Sequence, residues 1–312
     1  MADKNSLLKN TFRGFRYKNW TLHVAIVYFL KGVVRELKFK NASKSLEKYY
    51  AKVSLAKFKK KNDKGETYFD FNGALLPDIL NKEESVIIFP IIIEDVFLFS
   101  LYHNDNYDKK LVSCIEKYMH EGPYGYVDEA FDVRVQKDDV VIDAGAWIGD
   151  FSAYASSKNA ITYAFEPTSK IFQTLCQTAE MNGKIYPINK GLGDQECEID
   201  IFVNNENSGA NSFVITSEDS TVKEKITITT LDKFVEENNL KRVDFIKADI
   251  EGAERDMLKG AKNVLKTFAP KLAICTYHFP DDPQVLEQLI LDANPNYKVI
   301  HIRKKLFACV VV

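Results

Sequence analysis

The chain has 312 residues and a formal net charge of −2, and 46% of its residues are hydrophobic and 28% charged. This balance, with 21 Phe and 15 Tyr, excludes a mainly disordered protein, and no apolar run reaches the roughly 18–20 residues that a membrane-spanning helix needs. Five widely spaced cysteines without a CxxC pair argue against a disulfide framework and a zinc cage, so we expect a reducing, cytoplasmic location.

Positive charge is concentrated at the start of the chain. Residues 1–61 carry 16 Lys and Arg against three acids, whereas the remainder carries 26 basic and 41 acidic residues. Such a segment suits an anionic partner, although the solvated face of ordinary surface helices explains it equally well. As a partner we favour peripheral contact with the inner face of a membrane, and we do not expect a nucleic acid.

The first 125 residues are predicted to form a smaller α+β region of unknown role. Apolar residues of segment 46–53 recur at i, i+3, i+4 and i+7, which predicts an amphipathic helix with a basic outer face. The apolar segment 20–30 is interpreted as a buried helix, with a monotopic membrane contact as the alternative. Strands are predicted at 68–71, 86–93 and 96–101. The turn Gly122-Pro123-Tyr124-Gly125 places a domain boundary near 125, which separates domains 1–125 and 126–312.

From residue 138 onward, short apolar runs alternate with helical segments. The apolar runs lie at 140–142, 161–165, 185–188, 243–248, 271–276 and 297–302, and the helical segments near 150–158, 168–182, 252–265 and 283–293. This alternation predicts a doubly wound α/β domain with a mostly parallel sheet. The last run, 306–312, follows its neighbour after three residues. Because that gap is too short for a parallel crossover, the last strand is predicted to be antiparallel.

Two strand ends in this domain carry features of a nucleoside site. The first strand leads into Asp143-Ala-Gly-Ala-Trp-Ile-Gly149, where small residues let a ligand approach the backbone and the following helix offers free N–H groups. The second ends at Glu166, placed to accept hydrogen bonds from both hydroxyls of a ribose or, alternatively, to cap the next helix. The loop lacks the G-x-G-x-x-G that a diphosphate needs, and Trp147 would crowd one. An acidic tip on the first strand suits a cationic ligand, so we predict S-adenosyl-L-methionine rather than NAD.

Over roughly residues 125–312 the chain resembles the FkbM-type methyltransferases. The resemblance rests on four blocks in the right order and spacing, which are Asp143–Gly149, Ala164–Pro167, Thr230–Phe234 and Asp244–Glu254. It implies a class I methyltransferase (Rossmann-like) fold, S-adenosyl-L-methionine as the donor, and O-methylation of a hydroxyl, often on a sugar or polyketide. One departure is Trp147, where many members of the family carry Asn.

The resemblance also assigns residues to the donor site. The loop residues expected to contact the donor are Asp143, Gly145, Ala146, Trp147 and Gly149. Glu166 is expected to bind the ribose diol. Asp194, in the turn after the third strand, is expected near the adenine, although a Gly-Asp pair is equally typical of a plain turn.

Residues after the fourth and fifth strands are candidates for the reaction itself. Asp249 is predicted to position the donor amine or the acceptor hydroxyl, and Glu251 is either a second such carboxylate or part of a helical first turn, as Glu254 is. His278 is predicted to act as the base, since an ordinary histidine accepts a proton near neutrality, with a structural histidine as the alternative. The following acids, Asp281 and Asp282, either orient the imidazole or begin the next helix. His278, Asp249 and Glu251 form too weak a signal for a metal, so none is predicted.

These features together predict an S-adenosyl-L-methionine-dependent O-methyltransferase acting on a glycan or another hydroxylated small molecule. Two alternatives stay open: an RNA ribose methyltransferase that uses the basic segment, and a non-catalytic nucleotide-binding or membrane-docking module. Residues 203–225, rich in Asn and Ser, are interpreted as a hairpin or lid suited to sugar recognition, or as an ordinary solvated loop. The oligomeric state does not follow from the sequence.

Overall fold

The computed structural model of the chain describes residues 59–71, 73–78, 124–203, 222–302 and 304–311. The described residues belong to two compact units, the first comprising 59–71 with 78, and the second 73–77 with everything from 124 onward. The predicted helices and strands at 20–30, 46–53, 86–93 and 96–101 lie outside the described residues, as does nearly all of the basic segment. These predictions, and the boundary near 125, stay predictions.

The described part of the first unit is a pair of antiparallel strands, β1 (Lys59–Lys61) and β2 (Thr67–Phe71). The turn between them is closed by the side chain of Asn62, whose Oδ1 accepts hydrogen bonds from the backbone N–H groups of Lys64 and Glu66. This strand pair confirms the strand predicted at 68–71.

In the second unit, strands and helices alternate along the chain. Its strands are β3 (Ala74–Pro77), β4 (Tyr126–Val127), β5 (Asp132–Val133), β6 (Val140–Ala144), β7 (Ile161–Phe165), β8 (Ile185–Ile188), β9 (Gly191–Leu192), β10 (Cys197–Val203), β11 (Val222–Thr229), β12 (Phe245–Ala248), β13 (Lys271–Cys275), β14 (Tyr297–Ile302) and β15 (Lys305–Val310). Its helices are α1 (Asp150–Ser157), α2 (Ser169–Asn182), α3 (Leu231–Glu237), α4 (Glu254–Lys259), α5 (Lys262–Thr267) and α6 (Asp282–Ala293).

Seven of these strands form one sheet in the order β14-β15-β13-β12-β6-β7-β8. From β13 to β8 all neighbours are parallel, whereas β15 runs antiparallel to both of its neighbours. The predicted doubly wound α/β fold with an antiparallel last strand is therefore confirmed. The chain leaves β6 in one direction, toward β7 and β8, and later returns to place β12 on the other side of β6. This reversal creates a crevice at the carboxyl ends of β6 and β12.

Both faces of the sheet are covered, which explains why its strands are continuous apolar runs. On one face, Ile142, Ile246 and Leu272 pack in a cluster with residues of α3 to α6. On the other, Val141 and Phe245 pack against Phe151 of α1. Alternate residues of one strand thus enter different cores, and all four residues of β12 are buried.

The helix predicted over 252–265 is interrupted and forms α4 and α5 instead. At the break, a Cβ on Gly260 would lie 2.0 Å from the carbonyl oxygen of Gly193, so only glycine allows this approach. The second helix starts where the backbone N–H groups of Asn263 and Val264 donate to the carboxylate of Asp232. This cap comes from α3, a helix that the sequence analysis did not predict.

Two further features border the main sheet. β10 and β11 form an antiparallel hairpin that flanks residues 204–221, so part of the predicted hairpin at 203–225 is present and its tip lies outside the described residues. β3 is tied to α2 through Asn182, whose side chain exchanges hydrogen bonds of 2.9 and 2.7 Å with the backbone of Leu75. In the part of the chain that the structure describes, no helix combines the length and the apolar character needed to cross a bilayer.

Candidate active site

A cavity opens at the crevice where the sheet reverses direction. Its apolar wall is formed by Phe165, Leu192, Ile201, Ile226 and Ile250. Its polar wall is formed by Glu166, Thr168, Asp249 and Glu251, together with the backbone around Gly145 and Trp147. An apolar slot beside carboxylates suits a ligand that has a flat ring at one end and hydroxyl or ammonium groups at the other.

The glycine loop joins the ends of three strands. The backbone N–H groups of Gly145 and Ala146 both donate to the carbonyl oxygen of Phe165, at 3.1 and 2.8 Å. Gly145 has a φ of 73°, and a Cβ there would lie 2.0 Å from the carbonyl oxygen of Asp249. The loop therefore passes so close to the end of β12 that it excludes a side chain at position 145, which leaves the backbone open to a ligand from the cavity side.

Glu166 lies at the tip of β7 with a side chain that is almost fully buried in the cavity wall. One carboxylate oxygen accepts hydrogen bonds from the backbone N–H of Thr168, at 2.9 Å, and from its hydroxyl, and the backbone N–H of Trp147 also donates to the carboxylate. Burial raises the pKa of Glu166, and these donors oppose the rise only in part. The carboxylate thus lines the cavity and also accepts hydrogen bonds from the residue that precedes α2, while its predicted contact with a ribose stays a prediction.

Asp143 is fully buried beneath the loop and does not line the cavity. One of its carboxylate oxygens accepts a hydrogen bond of 2.6 Å from Ser152, and the other lies 3.1 Å from Nζ of Lys247. Lys247 also donates to the carbonyl oxygen of Gly145 at 2.6 Å. Burial alone would lower the pKa of Lys247, but Asp143, Asp249 and Asp150 outweigh it and hold that pKa above its usual value.

Lys247 was not among the predicted site residues, although the sequence carries a signal. A charged residue inside a strand that is otherwise apolar and buried on both faces must have a buried partner, because an unpaired charge in a protein interior is costly. Here the partner is Asp143, and the ion pair supports the glycine loop through the hydrogen bond from Lys247 to the carbonyl oxygen of Gly145. The structure places Asp143 beneath this loop rather than in the cavity lining, and its predicted contact with the donor stays a prediction.

Replacing Lys247 with Met is expected to destabilise the fold by about 3–5 kcal/mol, because Asp143 would be left as a buried, unpaired charge. Urea denaturation of the two proteins measures this difference. The double variant Lys247→Met/Asp143→Asn serves as the control and is expected to recover a large part of the loss. A single variant within 1 kcal/mol of the wild type, by the same measurement, would contradict the pairing.

Asp249, at the end of β12, is held by two tyrosines. Its two oxygens accept hydrogen bonds from the hydroxyls of Tyr277, at 2.9 Å, and Tyr124, at 2.8 Å. Burial would raise the pKa of Asp249, but Lys247 and the two tyrosines more than compensate and lower it. The structure thus places an oriented carboxylate beside the cavity, as predicted. Tyr124 was interpreted in the sequence only as part of a turn, since nothing local indicates its contact with a residue 125 positions away.

His278 lies next to the same carboxylate, with a side chain that is only 3% exposed. Nε2 lies 3.4 Å from Glu251 and 3.9 Å from Asp249, and Nδ1 lies 3.3 Å from Glu254. Burial would lower the pKa of His278, but Glu251 and Glu254 raise it to about 10. An imidazole that keeps its proton at neutral pH has no lone pair for another, so these surroundings argue against the predicted role as a base.

Several other predicted residues do not reach the cavity. Ala146 is buried against α2, and Gly149 lies so close to α2 that a Cβ there would be 2.8 Å from Leu175. Asp194 is exposed in the turn after β9 and is not part of the cavity lining. Their predicted contacts with the donor do not follow from the structure, because helix packing uses two of these positions and the third faces solvent.

The two acids after His278 do not orient its ring. Asp281 and Asp282 both bind the guanidinium of Arg255, at 2.6 and 2.8 Å. Asp282 also accepts a hydrogen bond from the backbone N–H of Phe279 and begins α6. The second of the two interpretations, that they start the next helix, is the one that the structure supports.

Comparison with known proteins places this site in a family. The family model described as the methyltransferase FkbM domain matches residues 143–309. The chain is 27% identical to the hexuronic acid methyltransferase AglP of Haloferax volcanii, over 55% of this chain and 69% of that protein. It is also 27% identical to methyltransferase 1 of Beauveria bassiana, over 43% of this chain and 64% of that protein.

Among solved structures, the chain is similar to an FkbM methyltransferase from Methylobacillus flagellatus. The TM-score is 0.45 at 20% sequence identity, over 74% of this chain and 60% of that one. The chain thus spans between 60% and 69% of the length of these three proteins. Since the family match takes in more than half of the chain and includes the loop, the strand ends and the histidine described above, the protein belongs to the FkbM family of methyltransferases.

Proposed function

We propose that this chain transfers the methyl group of S-adenosyl-L-methionine to an oxygen of a glycan or another hydroxylated small molecule. The observation that carries the proposal is the position of Glu166, whose buried carboxylate ends β7 in the wall of a cavity that also has an apolar side. A ribose diol matches two carboxylate oxygens, and an adenine ring matches the apolar slot.

The charge of the site supports a cationic donor. Asp249 and Glu251 follow β12 and line the cavity, and the pKa of Asp249 is lowered, so this carboxylate is ionised at neutral pH. A sulfonium and an ammonium group both gain from such a neighbour, whereas a diphosphate would be repelled. Trp147 lines the same cavity, where its bulky side chain would crowd a diphosphate.

A hydroxylated acceptor is supported by the side of the site that faces solvent. The ring of Tyr277 is 47% exposed while its hydroxyl is held by Asp249, so a flat aromatic surface is presented in a fixed orientation beside the cavity. Aromatic rings of this kind pack well against the C–H face of a sugar. The similarity to a protein named as a hexuronic acid methyltransferase points to the same class of acceptor.

Positioning would provide much of the rate enhancement. A methyl group moves in line from sulfur to oxygen, so the protein must hold both reactants at the required distance and angle. In this chain the glycine loop donates hydrogen bonds to the end of β7, Glu166 accepts one from the backbone of Thr168, and Asp249 accepts two from tyrosine hydroxyls. No observation among the described residues favours RNA as the acceptor, since the basic segment lies outside them.

The proposal is tested by incubating the full chain with methyl-labelled S-adenosyl-L-methionine and a panel of hydroxylated and hexuronate-containing glycans. We expect label to pass to at least one glycan, and S-adenosylhomocysteine to bind with one-to-one stoichiometry in calorimetry. Donor binding without transfer to any member of the panel would contradict the acceptor class. Absence of donor binding would contradict the whole proposal.

A further inference from the structure

The histidine beside the cavity has an unusual environment for a buried polar side chain. Neither ring nitrogen of His278 has a hydrogen-bond partner, and both are shielded from solvent. Buried polar groups in proteins almost always have such partners, and an exception requires a physical explanation such as a bound ion. Three carboxylates surround this ring at 3.3 to 3.9 Å, beyond ordinary hydrogen-bond distance.

Two carboxylate oxygens and one ring nitrogen lie close together beside the cavity. Asp249, Glu254 and His278 each place one ligand atom within 4.8 Å of the other two. Bonds of about 2.0–2.2 Å from a metal to nitrogen and oxygen put neighbouring ligand atoms roughly 3 Å apart. Shifts of less than about 2 Å, within reach of side-chain rotation, would therefore bring these three atoms to bonding distance of one ion.

The carboxylates are already held in place by a second layer of donors. Glu254 accepts hydrogen bonds from the backbone N–H groups of Ile250, at 2.8 Å, and Gly252, at 3.1 Å. Asp249 accepts from Tyr124 and Tyr277. Metal-binding carboxylates are typically supported in this way, because hydrogen bonds to the outer lone pairs orient the inner ones toward the ion.

We propose that Asp249, Glu254 and His278 bind a divalent cation of the first transition row at the rim of the donor cavity, and that the ion displaces the proton that the imidazole ring otherwise keeps. Imidazole together with carboxylates favours Mn²⁺, Fe²⁺, Co²⁺ or Zn²⁺ over Mg²⁺ or Ca²⁺, which prefer oxygen ligands alone.

The cation would give the site a chemical group that its side chains do not provide. A divalent ion binds an acceptor hydroxyl directly and favours its ionised form, so the oxygen becomes a better nucleophile. This consequence rests on the proposed function, whereas cation binding itself depends only on residues of this chain. The two can therefore fail independently.

The test is a titration of the purified full chain, freed of metal by chelation, with Mn²⁺ followed by electron paramagnetic resonance. We expect saturable binding of one Mn²⁺ per chain, weakened at least about tenfold by His278→Ala and by Asp249→Asn. His301→Ala is the matched control, because His301 also faces a carboxylate, that of Glu287 at 2.7 Å, but lies on β14. That variant is expected to bind Mn²⁺ like the wild type.

Thermal melting of each variant shows whether it folds, and if His278→Ala does not, Asp249→Asn decides the question. The proposal is overturned if the wild type shows no saturable binding, or if the folded site variants bind Mn²⁺ as tightly as the wild type does. Neither donor nor acceptor is present in this titration. A negative result would therefore leave the proposed methyl transfer intact, and loss of donor binding in calorimetry would leave the cation site intact.

Discussion

Replacing Glu166 with Ala is expected to weaken the binding of S-adenosylhomocysteine by about two orders of magnitude or more. Two hydrogen bonds from a ribose diol to a charged acceptor contribute roughly 1.5–3 kcal/mol each, and both would be lost. The apolar wall and the glycine loop would still contact the donor. However, no other carboxylate at the tip of β7 lines the cavity and could replace the two lost hydrogen bonds. Isothermal titration calorimetry of the two proteins measures the difference.

The control for this experiment is Glu224→Ala. Glu224, on β11, accepts a hydrogen bond of 2.7 Å from the backbone N–H of Ser169, so it also binds the start of α2, but it is not part of the cavity lining. We expect its removal to leave donor affinity within about twofold of the wild type while it destabilises the helix start slightly. A Glu166→Ala protein that is folded and binds as tightly as this control would remove Glu166 from the donor site.

The same carboxyl group should make donor binding depend on pH. Burial raises the pKa of Glu166 in the free protein, so the group takes up a proton at a higher pH than an exposed glutamate does. The protonated carboxyl accepts hydrogen bonds less well, and donor affinity should therefore fall as the pH decreases through this pKa. In Glu166→Gln the affinity should be weak and nearly constant over the same range, which calorimetry at several pH values would show.

Gly145→Ala is expected to be the most damaging small substitution in the glycine loop, with a loss of more than about 3 kcal/mol in the free energy of unfolding. The new Cβ would lie 2.0 Å from the carbonyl oxygen of Asp249 and 2.9 Å from the side chain of Ile250. Because a backbone oxygen at the end of a central strand cannot rotate away, the loop and β12 must separate. Asp249 would then move relative to the cavity, and donor affinity should fall as well.

Gly183→Ala separates this steric effect from that of backbone conformation. Gly183 also has a positive φ, 64°, but a Cβ there would contact nothing within 4 Å. Its ψ of 172° places it in a region that essentially only glycine adopts, so we expect this control to cost about 1–3 kcal/mol from backbone strain alone. Urea denaturation curves measured in parallel compare the two variants. If both variants lose the same free energy of unfolding, the close approach of the loop to Asp249 does not add to the destabilisation by Gly145→Ala.

Much of the sheet could be predicted because its signals are local. The strands at 161–165, 185–188 and 297–302 match their predicted runs residue for residue, since each is a short, mostly apolar run bounded by polar or turn residues. The antiparallel last strand also followed from a short connection alone. In contrast, the interruption between α4 and α5 depends on the carbonyl oxygen of Gly193, which no pattern within that segment records.

The candidate site shows the same division. Glu166 and Asp249 were identified because they follow buried strands whose carboxyl ends meet at one edge of the sheet. Tyr124 and Lys247, which fix the charge and orientation of that edge, were missed because their partners are distant in the sequence. His278 was placed correctly near the crevice, yet its proton affinity could not be predicted, since that property depends on Glu251 and Glu254 from another loop and helix.

The amino-acid sequence by itself determined the alternation of strands and helices, the family and the set of acids near the crevice. These depend on periodicity, chain order and spacing, all of which are local properties. Only the tertiary structure decided which acids face the cavity and which are buried in ion pairs. The reason is physical: the pKa and orientation of a carboxylate are set by burial and by the donors around it, and folding brings those donors from distant parts of the chain.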